Sequence, residues 1–289
     1  MKSLKKSALV LAMAGLPFVA QADLKPIDDA QMGSITGQAG VTIELETRVD
    51  IGEFRYTDEG SLSIKDISIG GANTTELFTE IRDADQYGEA NHNLLFGETS
   101  DLIDNIKINI DIADDGDAII SVRPLTIAPI DFGVSTGEWT LEGHTDSTLL
   151  ASNFNMVGAV NELEIRVDTE TDHLNLATQV GISDLDVDVN LLGIGIRDFK
   201  MTGANYMGTR IDNGQPGKAS VSYLGAKIDL DVYKGARFGS TDEALAIDLK
   251  QFDADMKIGQ ILVGGTNIGS VMLDNLSVQN TSMRIYGHD

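Results

Sequence analysis

The chain has 289 residues, of which 42% are hydrophobic, and a formal charge of −24 at pH 7. That apolar content rules out a disordered chain of this length, and the negative field repels nucleic acid and anionic lipid surfaces, arguing against both as partners. There is no cysteine, which excludes a disulfide framework, a thiol nucleophile and a lipid anchor on a cleavage-site cysteine.

Residues 1–22 read as a secretory signal peptide. Lys2, Lys5 and Lys6 give a basic start, residues 7–20 are an apolar run too short to span a bilayer, and Ala20-Gln21-Ala22 is a small-x-small exit. Cleavage after Ala22 removes three lysines and no acid, so the charge becomes −27. No later stretch reads as a transmembrane segment. The mature chain is therefore expected to be exported through the inner membrane to the periplasm, the outer surface or the extracellular space.

Residues 23–40 are expected to form a short helix and a linker. Pro26 to Met32 carries Asp28 and Asp29 in the first turn, where the helix dipole favours them, and Gly33 or Gly37 ends it. Residues 41–289 read as a single β-rich domain. Val41, Ile43 and Leu45 alternate with Thr42, Glu44 and Glu46, the pattern of a strand with an acidic outer face. Residues 57–60 are a turn and 61–69 a second strand. Residues 74–105 suggest a short helix and a long loop, with helical spacing at Leu77 and Ile81. Short strands then recur to the end, and Pro124, Pro129 and Pro216 stand at strand ends or turns. The fold class is all-β: elongated, bent antiparallel sheets, sandwich- or roll-like, with irregular repeats and one or two short helices.

A loose repeat carries the most information. Leu62 to Asn73, Ile194 to Asn205 and Val271 to Asn280 share the form Φ-x-[Asp/Asn]-Φ-x-Φ, with Φ apolar, and 103–108 and 182–187 echo it. Ile64 is even-numbered, whereas Ile67 and Ile69 are odd. Strand side chains alternate faces, so an uninterrupted strand cannot turn all three inward. The chain must therefore bulge or turn a corner at Lys65-Asp66, and likewise at Asp198 and Asn275; short Asp and Asn side chains suit such kinks. Between 182 and 201, Leu185, Val187, Val189 and Leu191 line one face, and Asp184, Asp186, Asp188 and Asn190 the other. Such lined-up carboxylates would blunt edge-to-edge aggregation.

Motifs with chemical potential are few. Gly133-Val134-Ser135-Thr136-Gly137 matches the G-x-S-x-G nucleophile elbow, but a strand pattern follows instead of a helix, so a hairpin turn is the better reading. His92, His144, His173 and His288 lack metal-ligand spacing. Residues 214–219 only faintly echo a phosphate loop. The most acidic loop, with Asp111, Asp114, Asp115 and Asp117 around Gly116, offers calcium-type oxygens without EF-hand spacing. A solvated hairpin turn is its first reading and Ca2+ binding its second. No other cofactor is implied. A glycosidase-type carboxylate pair would lack aromatic platforms, with Trp139 the single tryptophan. A membrane barrel would lack aromatic girdles and a closing aromatic strand.

Met32-x-x-Ile35-Thr-Gly-Gln-Ala-Gly-Val-Thr-Ile43 and Gly60 to Gly71 resemble the start of a poorly characterised family of exported Gram-negative bacterial proteins, some labelled as pilus- or filament-system proteins. The resemblance covers about a fifth of the chain. It implies a β-rich surface or periplasmic protein and assigns no catalytic residue. The expected function is non-enzymatic: an exported structural or cell-surface β-protein, with other envelope or surface proteins or its own copies as partners. The alternative is an envelope carrier of lipid or another apolar ligand, and an outer-membrane or hydrolase role comes third.

Overall fold

The computed structural model describes residues 40–74, 77, 100–204 and 225–287, all within one unit, Gly40–Asp289. The expected signal peptide, the helix over 26–32, most of the 74–105 segment, Pro216, residues 214–219, His92 and His288 lie outside the described residues. Residues 103–105, expected in a loop, instead open a strand.

Thirteen strands join in one sheet, and all of the pairings are antiparallel. They are β1 (Val41–Thr47), β2 (Val49–Thr57), β3 (Ser61–Gly70), β4 (Ile103–Ile112), β5 (Ala118–Pro124), β6 (Ile130–Thr136), β7 (Trp139–Glu142), β8 (Ser147–Asp168), β9 (His173–Val189), β10 (Ile194–Thr202), β11 (Ala226–Ala236), β12 (Glu243–Val263) and β13 (Thr266–Ile285).

The register reduces these strands to an up-and-down meander. The long strand β8 pairs in turn with β7, β6 and β5, so those three lie end to end. In the same way β12 pairs with both β10 and β11, and β1 and β2 continue one another along β4 and β3. Among the described strands the sheet thus has eight legs: β1 with β2, β3 with β4, β5 to β7, β8, β9, β10 with β11, β12, and β13. The 22 residues of β8 extend about 70 Å at about 3.3 Å per residue.

The burial is concentrated in a transverse band half-way along the legs. Ile130, Val160, Val180 and Ala226 stand side by side on successive legs, and Met201, Ala226 and Ala254 form a core cluster with Val180, Ile182, Phe199, Phe252 and Met256 around it. At this height β3 ends and β4 begins, and β10 ends and β11 begins. Of the ten buried hydrophobic residues among those described, six are alanines. The sheet therefore packs through small side chains here and leaves larger ones half-exposed elsewhere.

The kinks stand where the phase of the sequence demands them. Asp66, Asp198 and Asn275 all have left-handed backbone, with φ of 50°, 53° and 56°. Asn and Asp tolerate this region better than other non-glycine residues because the short polar side chain bonds locally. The contacts confirm the change of face. Ile69 pairs with Val134, two residues before Thr136 on the same strand face. Thr136 pairs with Phe154, whose ring lies 6.2 Å from that of Trp139, and the Trp139 Nε1–H donates to Thr136 Oγ1 at 2.7 Å. Trp139 in turn pairs with Ile64. Ile64 and Ile69 therefore share one face across the Asp66 kink.

Two expectations for residues 182–201 need correction. The strand stops at Val189, and Asn190–Leu192 form a 3-10 turn that leaves Leu191 exposed rather than in the apolar row. The carboxylates also do not guard an edge. β9 is an interior strand paired on both sides, and its aspartates bind neighbours: Asp188 accepts from Asn153 and Arg197, and Asp186 Oδ1 from the Asp198 N–H at 3.0 Å. In the same segment the phase changes at Ser183, skipped in the register between Ile182 and Asp184.

Candidate functional site

The residues singled out for chemistry are dispersed. Ser135 is not in a hairpin turn, as its motif suggested. It lies within β6, paired with Ser68 on one side and Asn155 on the other. The chain continues through Gly137 into β7, held by the Gly137 N–H to Lys65 O bond. No helix follows, so the serine is not raised on an elbow. His144 is exposed in the β7–β8 connection. His173 stacks on Tyr233 with ring centroids 4.0 Å apart, its Nδ1 3.7 Å from Asp231.

The acidic loop is a hairpin turn between β4 and β5, closed by the Ala113 N–H to Asp117 O bond. Asp117 turns away from its neighbours to bind across the sheet. Its carboxylate accepts from the Thr169 N–H at 2.9 Å, from Arg166 Nε at 2.8 Å and from Thr169 Oγ1. These bonds, the Thr169 N–H first, hold its pKa below the usual aspartate range. Asp115 Oδ1 accepts the Asp117 N–H, and its other oxygen lies 3.6 Å from Arg166. A guanidinium thus sits where a cation would approach Asp115 and Asp117. Asp111 stands at the Gly40 end of leg 2, where a Cβ on residue 40 would meet its Oδ1. Among the described residues no group of three or more His, Cys, Asp or Glu is arranged to hold a metal ion.

What the legs do bring together is a continuous apolar face. Paired residues share a face of the sheet, and the register carries one row across every leg: Val41, Ile110, Ile120, Ile165, Leu176, Leu230, Leu249 and Thr281. The adjoining row on the opposite face is Thr42, Asn109, Ser121, Glu164, Ala177, Asp229, Gln251 and Gln279. The kinks preserve this division where the numbering changes parity, as with Phe199 and Ile196 either side of Asp198.

The polar face is laced together rather than hollowed out. Tyr233 Oη donates to Asp248 at 2.6 Å, and Arg284 Nη1 donates to the same carboxylate at 2.7 Å. These two bonds, the tyrosine's first, hold the Asp248 pKa down to about 2. Asn175 donates to Asp229 and Asp231, and Lys250 pairs with Asp231. Two open depressions lie on the sheet: one of about 290 Å³ runs past Arg48, Asp101 and Ser135, and another of about 310 Å³ past Asp198, Lys200 and Lys257.

The outermost legs differ from the rest. Among the described strands β1 and β2 have partners on one side only, as does β13. Their apolar side chains are open: Val41, Ile43, Leu45, Ile51, Phe54 and Tyr56 on leg 1, and Ile268, Val271, Met272, Leu273, Met283 and Ile285 on leg 8. Sequence patterning marked a strand at 41–46 and a repeat unit at 271–280 but not β2, nor that these two legs would be edges.

Residues 1–114 match the model of a family of unknown function (DUF6160). The match takes in the first two legs, through β4. No curated protein and no solved structure matches the chain. No helix among the described residues is long and apolar enough to cross a membrane.

Proposed function

We propose that the protein is an exported, non-enzymatic structural protein of the cell surface or extracellular space, acting through its extended sheet rather than through a pocket. The carrying observation is that, among the described residues, the first and last legs each leave a long strand edge without a partner strand, with apolar side chains open beside it. Unpaired N–H and C=O groups along such an edge are a template for another strand. The family label of pilus or filament system, attached to the N-terminal resemblance, fits this reading, with envelope or surface proteins or further copies as partners. The test is fractionation of cells with antibody labelling in electron micrographs. Label on surface-attached or released assemblies is expected; a monomer confined to the periplasm would contradict the proposal.

A second reading is a carrier of lipid or another apolar ligand. The specific observation for it is the row on one face that is apolar from leg 1 to leg 7 and ends in Thr281 on leg 8, a surface an acyl chain could cover. Mass spectrometry of protein purified without detergent separates the two. Stoichiometric co-purified lipid favours the carrier, and lipid-free folded protein the structural role.

A further inference from the structure

We infer that copies of this chain join head to tail, leg 8 of one pairing antiparallel with leg 1 of the next. This rests on the structural reading above and gives it a specific contact.

Three observations lead there. The first is parity. Eight antiparallel legs leave the first and last running in opposite directions, so a translated copy continues the alternation and keeps its apolar and polar faces on the same sides. The second is charge. Leg 8, residues 266–285, carries one acid, Asp274, and one base, Arg284, within a chain of net charge −24. Leg 1, residues 41–57, carries Glu44, Glu46, Asp50 and Glu53 against Arg48 and Arg55. Pairing leg 1 with itself would join two edges that each carry a net charge of −2, whereas the nearly neutral leg 8 adds no like charge. The third is the lack of edge protection. Strand edges that must stay free usually carry lysine, proline or projecting charge. Leg 8 has no lysine or proline, and its single base is folded back onto Asp248 of leg 7 at 2.7 Å.

Such a contact is heterologous. Each copy offers two different edges, so association does not stop at a dimer but continues as an open array. In a flat continuation, Thr42 of one copy lies level with Gln279 of the next, since both fall in one transverse row.

The absence of cysteine makes the test clean. Thr42→Cys and Gln279→Cys are made singly and together in the mature chain and treated with a short bismaleimide. Both positions are exposed. Each single variant alone is expected to stay monomeric on a denaturing gel. Their mixture should give a dimer and nothing larger, and the double variant a ladder. A dimer from either single variant alone would overturn the inference in favour of like-to-like pairing. A fast-migrating, internally linked monomer from the double variant would overturn it in favour of a sheet closing on itself, and no linkage at all would also overturn it. As a second measurement, Met272→Lys with Met283→Lys should abolish the large species in sedimentation with circular dichroism unchanged; persistence of those species would count against the contact. Failure of these tests leaves surface localisation, read separately by fractionation, untouched.

Discussion

Asp198 stands opposite Gly259 across the pairing of β10 with β12: a Cβ built on residue 259 would lie 2.7 Å from the Asp198 Cβ, and the flanking pairs Arg197–Gln260 and Phe199–Ile258 keep the register unbroken. The left-handed residue on one leg and the glycine on the next form a single device. The kink swings the aspartate towards its neighbour, and only glycine leaves room for it. Gly259→Ala is expected to cost about 1–3 kcal/mol through overpacking, read as a fall in Tm. Asp198→Gly should be nearly neutral, whereas Asp198→Val, β-branched in left-handed backbone, should be clearly destabilising. Equal effects of Gly and Val at 198 would count against the kink.

The mid-leg band is the main apolar packing. Met201 is buried against Ala226 and Ala254, so Met201→Ala should cost about 2–5 kcal/mol. Denaturant titration measures it. An unchanged midpoint would show that the band contributes little.

Acid should weaken the attachment of the last leg. The Asp248 pKa is held down to about 2 by the Tyr233 hydroxyl and Arg284. For a carboxylate with a lowered folded pKa, the stabilisation is present above the unfolded value near 4 and is lost as pH falls from about 4 to about 2. Asp248→Asn should remove that part of the acid dependence and lower Tm at pH 7. Tm measured across pH 2–7 for both proteins checks it; parallel curves would contradict it.

Asp131 should behave oppositely. It is buried and its pKa is raised, chiefly by burial and against the Ala72 N–H that donates to it at 2.8 Å. A raised folded pKa gives its full stabilisation at low pH and loses it as pH climbs through that value. Asp131→Asn keeps an acceptor for Ala72 and sheds the charge. It should raise Tm at pH 7 and leave it unchanged near pH 3, where the native aspartate is protonated.

Much of this architecture was legible in the residues. Alternation marks the strands at 41–46 and 61–69, and the parity break between Ile64 and Ile67 marks the kink at Asp66. Asn153 and Asn280 are also left-handed, and each stands where apolar parity changes, between Ala151 and Phe154 and between Val278 and Met283. The legs themselves were not legible. Pro124 and Pro129 break β5 from β6 much as a turn would, yet the chain resumes in the same direction because β8 runs unbroken alongside both. A local interruption looks alike whether the chain reverses or continues, and only the neighbouring leg decides. Distance in sequence hid the acidic loop's role in the same way. Asp117 reads as one carboxylate among several until Arg166 and Thr169 arrive from another leg.

Association through the outer edges of legs 1 and 8 requires that both acquire partners. Hydrogen–deuterium exchange of the mature protein, compared between dilute and concentrated samples, reads this directly. Alternate amides in 41–57 and 266–285 are expected to become protected as concentration rises, while those of β8 and β9, already paired on both sides, stay unchanged. Exchange at both edges that is fast and indifferent to concentration would contradict the proposed association.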